Sequence, residues 1–241
     1  MTNPPPTDHL PTGLPLAVDT VVLDIDGTLL DSNYHHTVAW VRAFARHGHD
    51  VPAWRIHRQI GQGGDRLVAA AAGQEVEDAD GDSVRDAWEE EFDALMDETT
   101  LLPGARDLLA ALHERGLKVV LASSAIPRHA AHATRLLDAD DLVDAATTAE
   151  DAEETKPDPE LLDTAIAKVD GGRAVLVGDS VWDVEAANAR GLPTLGVLTG
   201  GFSRAELEET GAVTVVEDAA ELLARLDELL QPAPPPGRHT D

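Results

Sequence analysis

Thr20-Val21-Val22-Leu23-Asp24-Ile25-Asp26-Gly27-Thr28 is the stretch on which the reading of this chain turns. An apolar, β-branched run ends in two aspartates one residue apart, followed by a glycine that permits a sharp turn. In an extended segment side chains alternate, so Asp24 and Asp26 point the same way. Two carboxylates so placed either share a cation or keep one proton between them. An Asp-Gly turn that merely ends a strand explains the same letters, so the later clusters decide. Lys118-Val119-Val120-Leu121-Ala122 runs into Ser123-Ser124, Lys156-Pro157-Asp158-Pro159 opens a helix, and Val175-Leu176-Val177-Gly178 runs into Asp179-Ser180-Val181-Trp182-Asp183. Singly, the serines read as a turn or cap, Lys156 as a solvated cation, and Asp179 and Asp183 as an N-cap and a first-turn carboxylate. Together they place hydroxyls, a cation and two more carboxylates where open α/β sheets bind ligands, beyond the carboxyl ends of strands.

Around these clusters, short β-branched runs alternate with Ala/Leu-rich stretches of helical spacing, the pattern of βαβ units around a parallel sheet. Strands are expected at 20–25, 117–122, 174–178, 194–198 and 213–216, and helices at 105–114, 128–137, 159–169, 181–190, 204–210 and 219–230. Between 31 and 100 the periodicity is helical throughout, an all-helical insertion after the first strand. The fold class is therefore α/β, with a core at 18–30 and 101–230 and a helical cap at 31–100. The proline-rich ends, 1–17 and 231–241, are expected to lie outside the fold as disordered segments.

The chain has 241 residues, 45 acidic against 18 basic, for a formal net charge of -27. That field repels nucleic acid and anionic membranes, so neither is expected as a partner. It also opposes a phosphate ester, so an anionic substrate requires a local reversal of field by a cation or metal. No run reaches the roughly 18 to 20 apolar residues of a membrane span, and the N-terminus has no signal-peptide pattern. A cytoplasmic protein is expected. Cysteine is absent, which excludes thiol nucleophiles, zinc-thiolate sites and disulfides.

The four clusters, in their order along 20–198, resemble the haloacid dehalogenase (HAD) superfamily of phosphohydrolases. The resemblance implies a Rossmann-like parallel sheet, with Asp24 as nucleophile and Asp26 as general acid and base. It implies that Ser123 and Lys156 bind the transferring phosphoryl group, and that Asp24, Asp26 through its carbonyl, Asp179 and Asp183 hold or support Mg2+. The acid two residues after the nucleophile argues against the dehalogenases of the superfamily. What it implies is a Mg2+-dependent phosphatase acting on a small phosphorylated metabolite, as a monomer or homodimer. A phosphomutase and a non-catalytic phospho-ligand-binding or regulatory protein are the alternatives.

The insertion resembles the helical cap of phosphoglycolate phosphatase and β-phosphoglucomutase-like members, which closes over the site and selects the leaving group. Thr28, Ser124, His36, Gly63 and Arg66 form the expected substrate-binding set. His36 lies where the mutases carry a histidine facing the site. Gly63-Gly64 stands where they carry an arginine for a second phosphate, with Arg66 following, which weighs against a mutase. The tryptophans Trp40, Trp54, Trp88 and Trp182 read as packing residues. His129 and His132 are expected on a solvated helix face.

Overall fold

The computed structural model describes residues 13–152 and 155–233. Its strands are β1 (Leu16–Val18), β2 (Thr20–Leu23), β3 (Leu30–Asp31), β4 (Thr100–Leu101), β5 (Lys118–Ala122), β6 (Ala145–Thr147), β7 (Ala174–Gly178), β8 (Thr194–Val197), β9 (Thr214–Val216) and β10 (Leu230–Pro232). The helices α1 (Asn33–Arg46), α2 (Ala53–His57), α3 (Gly64–Ala72) and α4 (Gln74–Asp93) form the insertion. In the rest of the chain lie α5 (Ala105–Glu114), α6 (Pro127–Leu137), α7 (Glu160–Ala167), α8 (Val181–Arg190), α9 (Arg204–Thr210), α10 (Ala219–Ala224) and α11 (Leu226–Leu229).

Six strands form one parallel sheet in the order β6-β5-β2-β7-β8-β9. From β2 the chain builds outward through β5 to β6, then returns to β7 and builds the other way. The reversal makes a crevice beyond the carboxyl ends of β2, β5 and β7. Leu23 pairs with both Leu121 and Val177, so these three strands finish level and deliver Asp24, Ser123 and Asp179 to one end of the sheet. Buried aliphatics cover one face from Leu108, Leu109, Leu112, Leu137 and Leu222, and the other from Leu162, Ile166, Ala186 and Ala187. Strands buried on both faces explain why their sequences read as continuous apolar runs. The α/β architecture with its helical insertion is thus as expected.

The insertion has its own core of Trp40, Phe44, Ile56, Leu67, Val68 and Val84. It leaves and rejoins the sheet domain beside an antiparallel two-residue pairing, Leu30 with Leu101 and Asp31 with Thr100. Such a short ladder has no sequence signature of its own.

Three differences from expectation concern elements. The edge strand β6 has the sequence Ala-Ala-Thr, too poor in β-branched residues to read as a strand, and is set by its register on Val120 to Ala122. The helix expected over 219–230 divides at Arg225 into α10 and α11, where Arg225 pairs with Glu221 and Glu228, and Leu230 leaves as a strand. The ends correct the expectation that 1–17 and 231–241 lie outside the fold. Leu16–Val18 and Leu230–Pro232 pair in parallel, burying Leu16, Val18 and Leu230. Their apolar side chains repay ordering that the neighbouring prolines made look unprofitable. The remainder of those end segments, 1–12 and 234–241, lies outside the described residues. Among the described residues no helix is long and apolar enough to cross a membrane.

Candidate active site

Asp24 follows β2 directly and its backbone N–H donates to the Val177 carbonyl (2.9 Å), which extends the ladder past the strand and fixes the aspartate at the crevice. Two residues on, Gly27 takes φ +80°, a conformation that favours glycine, and turns the chain back so that its N–H reaches the Leu30 carbonyl at 2.8 Å. Any Cβ there would meet Asn33 Nδ2 at 2.3 Å and Asp179 Oδ2 at 2.5 Å.

Three carboxylates, Asp24, Asp179 and Asp183, converge here from two strand ends and the first turn of α8, each offering an oxygen within 4.8 Å of the others. All are buried. Asp179 accepts from Thr28 Oγ1 (3.1 Å) and Asn33 Nδ2 (2.9 Å). Asp183 divides its oxygens: Oδ2 closes a capping box with Ser180, accepting from its hydroxyl (2.5 Å) and N–H (3.1 Å), while Oδ1 lies 2.7 Å from Lys156 Nζ. Ser180, not Asp179, is the N-cap of α8. Lys156 also donates to Asp24 Oδ1. At 1% exposure this lysine is anything but solvated.

The electrostatics follow from that crowding. Burial, with Asp183 and Asp179 alongside, pushes the Asp24 carboxyl well above its ordinary range despite Lys156. Burial and Asp183 push Asp179 up to about 7 against the hydrogen bonds of Asn33 and Thr28. Burial of Lys156 opposes its charge, but Asp183 and Asp24 outweigh it and hold the ammonium above its usual value. One lysine thus faces three carboxylates, and the protein by itself balances the excess with protons. An all-oxygen, buried, under-neutralised donor set fits a hard divalent cation.

Asp26 stands apart from this trio. Its carboxylate accepts from Ser32 Oγ (2.5 Å) and lies 3.3 Å from His36 Nε2. Burial would raise it, but the charge and hydrogen bond of His36 and the Ser32 hydroxyl bring it down to about 2. His36 stacks on Phe92, ring centroids 3.7 Å apart. The Asp26 side chain is turned toward the cap, in keeping with an expectation that gave the metal only its backbone carbonyl.

Asp24, Asp26 and Lys156 open onto a narrow cleft of about 60 Å³ between sheet and cap, lined also by His36, Trp40, Gln62, Gly63, Gly64, Trp88 and Ser124. Ser124 Oγ is buried there without a hydrogen-bond partner. Ser123 sits behind, 1% exposed, its Oγ accepting from the Ala125 N–H at 3.0 Å, which leaves the hydroxyl proton free to donate. Two of the expected substrate-binding residues are placed elsewhere. Thr28 is fully buried against Asp179, because the Gly27 turn folds it inward. Arg66 does not line the cleft among the described residues; its Nε lies 3.9 Å from Asp65.

His129 and His132 are not on a solvated face. Both are buried, His129 Nε2 against Asp93 (2.9 Å) and His132 Nε2 against Thr99 (3.2 Å), where α6 packs under the cap stem. Burial lowers the pKa of His129. Of the tryptophans, Trp40 is buried and stacks on Trp88 (4.9 Å), whereas Trp54 is 66% exposed. Sequence reasoning missed Ser32, Asn33 and Gly200. The first two sit in the segment after the first aspartates, and only their side-chain bonds, Ser32 to the nearby Asp26 and Asn33 to Asp179 146 residues on, reveal a role. Gly200 lies against Asp179, where a Cβ would come within 1.7 Å of Oδ2.

The sheet, its insertion and the grouped carboxylates place this chain in a family: residues 18–191 match haloacid dehalogenase-like hydrolases, and the chain belongs to that family. A phosphoglycolate phosphatase of Rhodospirillum rubrum is 32% identical over 219 residues, 84% of this chain and 88% of that one. A validoxylamine A 7'-phosphate phosphatase of Streptomyces hygroscopicus is 28% identical over 74% of this chain and 84% of its own. Among solved structures, a hydrolase from Pseudomonas syringae superposes with a TM-score of 0.83 at 31% identity, covering 88% of this chain and 99% of that one. A β-phosphoglucomutase from Clostridium difficile gives 0.74 at 20% identity over 85% and 93%, a likeness of fold alone. The chain is thus an enzyme of the hydrolase class.

Proposed function

We propose that this protein is a Mg2+-dependent phosphatase that hydrolyses a small phosphomonoester through a phosphorylated Asp24. The observation that carries the reading is Asp24 itself, held at a strand end by Lys156, beside two further buried carboxylates and open to a cleft that also receives Asp26. The phosphatase names of the relatives support it. Asp24, Asp179 and Asp183 would hold Mg2+, which supplies positive charge to the phosphoryl oxygens and keeps the three carboxylates ionised.

Lys156 occupies Asp24 Oδ1, leaving the other oxygen to attack phosphorus. As the Asp24 O–P bond forms, the bond from phosphorus to the ester oxygen breaks, and Asp26 gives that oxygen a proton. Ionised in the free protein, Asp26 gains proton affinity when a phosphate dianion approaches. In the second half Asp26 takes a proton from water as the water oxygen attacks phosphorus, releasing Asp24 and inorganic phosphate. Lys156 and the Ser123 and Ser124 hydroxyls would meet the equatorial oxygens.

Phosphate release is to be measured across a panel of phosphomonoesters, including 2-phosphoglycolate and p-nitrophenyl phosphate, with Mg2+ and with EDTA. Asp24→Asn is expected to abolish turnover and Asp26→Asn to slow it about 10² to 10⁴-fold. Turnover of Asp24→Asn near the unsubstituted rate refutes the mechanism.

A further inference from the structure

The cap wall of the cleft is made of Trp40, Ile60, Gln62, Gly63, Gly64 and Trp88 with Leu67 behind, and among the described residues it holds no lysine or arginine. The basic side chains nearby all have acidic partners, Arg66 included, whose Nε lies 3.9 Å from Asp65. His36 is spent on Asp26 and Lys156 on Asp24 and Asp183. Arg85, which donates to the Gly64 carbonyl (3.2 Å), is engaged by Glu77 and Asp82 at 2.8 Å each. The N-terminus of α3 enters the cleft at Gly63-Gly64, but its first turn carries Asp65, and the Gly63 N–H donates to Thr155 Oγ1 (3.2 Å). An anion brought there would lose its water and find no unclaimed counter-charge, in a chain whose net charge is -27.

What the wall does offer is neutral. Trp88 presents an aromatic ring, and its Nε1–H is buried with no hydrogen-bond partner, as is Ser124 Oγ. Gln62 gives its Nε2–H to Gln59 Oε1 (2.7 Å), which leaves its own carbonyl oxygen able to accept. A donor, an acceptor and an aromatic surface suit a ring or chain that carries hydroxyls beside C–H faces.

We infer that the enzyme takes phosphomonoesters with a neutral, polyhydroxylated leaving group, of the sugar, alditol or cyclitol kind, and discriminates against those bearing a carboxylate or second phosphate. This rests on the phosphatase reading above. Trp88 and Gln62 are then the specificity residues.

The test uses the full chain with Mg2+ and compares kcat/KM for glucose 6-phosphate, sorbitol 6-phosphate and myo-inositol 1-phosphate with that for 2-phosphoglycolate and glucose 1,6-bisphosphate. p-Nitrophenyl phosphate serves as the general reporter. The best neutral ester is expected to exceed 2-phosphoglycolate by about 10 to 100-fold. Gln62→Lys, at a half-buried position that tolerates a longer side chain, should narrow that ratio at least about tenfold by supplying the missing cation. Trp88→Phe keeps an aromatic ring, though a smaller one, and removes the donor, and should raise KM for the best neutral ester about fivefold. Wild-type preference for 2-phosphoglycolate, or a ratio unmoved by Gln62→Lys, overturns the inference and leaves the phosphatase reading standing. Release of phosphate from none of the esters, p-nitrophenyl phosphate included, overturns both.

Discussion

Replacing Lys156 with methionine removes the one cation that, among the described residues, stands inside a group of three buried carboxylates, and keeps the side chain's length and apolar stem. As a solvated side chain, the reading its sequence context allows by itself, it would matter by no more than about 0.5 kcal/mol. The structure gives it 1% exposure and direct contacts to Asp24 and Asp183. Leaving charges buried and unpaired costs roughly 3 to 5 kcal/mol, on the order of 10 °C in melting temperature for a chain of this size. The pH dependence has a definite sign. Asp24 and Asp179 are held above the ordinary 3.8, Asp179 at about 7, so the stability tied to their protons is full in acid and lost as pH rises through about 7. Lys156 is held above 10.5 and stays charged over that whole window. The cost of Lys156→Met should therefore be largest at pH 8 and shrink at pH 5.5, where protons replace the missing cation. Thermal unfolding of both proteins in EDTA at the two pH values measures this. A difference below about 1 kcal/mol at pH 8 would refute the placement of Lys156 as the internal counter-ion.

Gly200→Ala puts a methyl on Asp179 Oδ2 and should weaken Mg2+ binding about tenfold or more, read by calorimetry on the unreacted protein; unchanged affinity would show that Asp179 is not held where the structure has it. Mg2+ affinity should rise from pH 6 to 8 with net proton release, because Asp179 must give up the proton it binds with a pKa of about 7; titration in buffers of different ionisation heat counts the protons, and none released would contradict the shift. Glucose 1-phosphate with a bisphosphate activator should yield phosphate but no glucose 6-phosphate, since Gly63-Gly64 offers no cation to a second phosphate; efficient isomerisation without phosphate release would reverse the choice of hydrolase over mutase.

What the sequence disclosed was local, and what it withheld was set by contacts across the chain. The bounds of α5 and α8 are as read, because Gly116 and Gly191 end them and the apolar spacing between is regular. The strand-end clusters were legible for the same reason: each is a few adjacent letters after an apolar run. Lys156 reads as solvated only when its cluster is taken alone; the resemblance gives it the phosphoryl group, but nothing adjacent to it announces that Asp24, 132 residues away, takes its ammonium. Ser32 and Asn33 carried no signal beyond being polar at a helix start, yet they bind Asp26 and Asp179. β1 and β10 were hidden by flanking prolines, and His129 by lying on a helix whose cover, Asp93 and Phe92, comes from the cap.

The cap and the carboxylate group also meet in one backbone segment, Leu198–Gly200, at the end of β8. Gly200 lies against Asp179 on one side, and on the other its carbonyl accepts from His57 Nε2 of the cap at 3.0 Å, which fixes that imidazole as the Nε2–H form. Thr199 Oγ1 donates to the Gly27 carbonyl in the turn that carries Thr28 and Asn33 toward Asp179. Next along the chain, Arg58 of the cap packs over Phe202 (4.1 Å) and pairs with Glu206 (2.6 Å). The His57 contact falls on Gly200, which lies against Asp179, and the Arg58 contacts fall just beyond it on Phe202 and Glu206. The cap contact and the position of Asp179 therefore meet at Gly200, where no side chain could fit, and this is why a segment without any chemically reactive residue belongs to the site as much as the aspartates do.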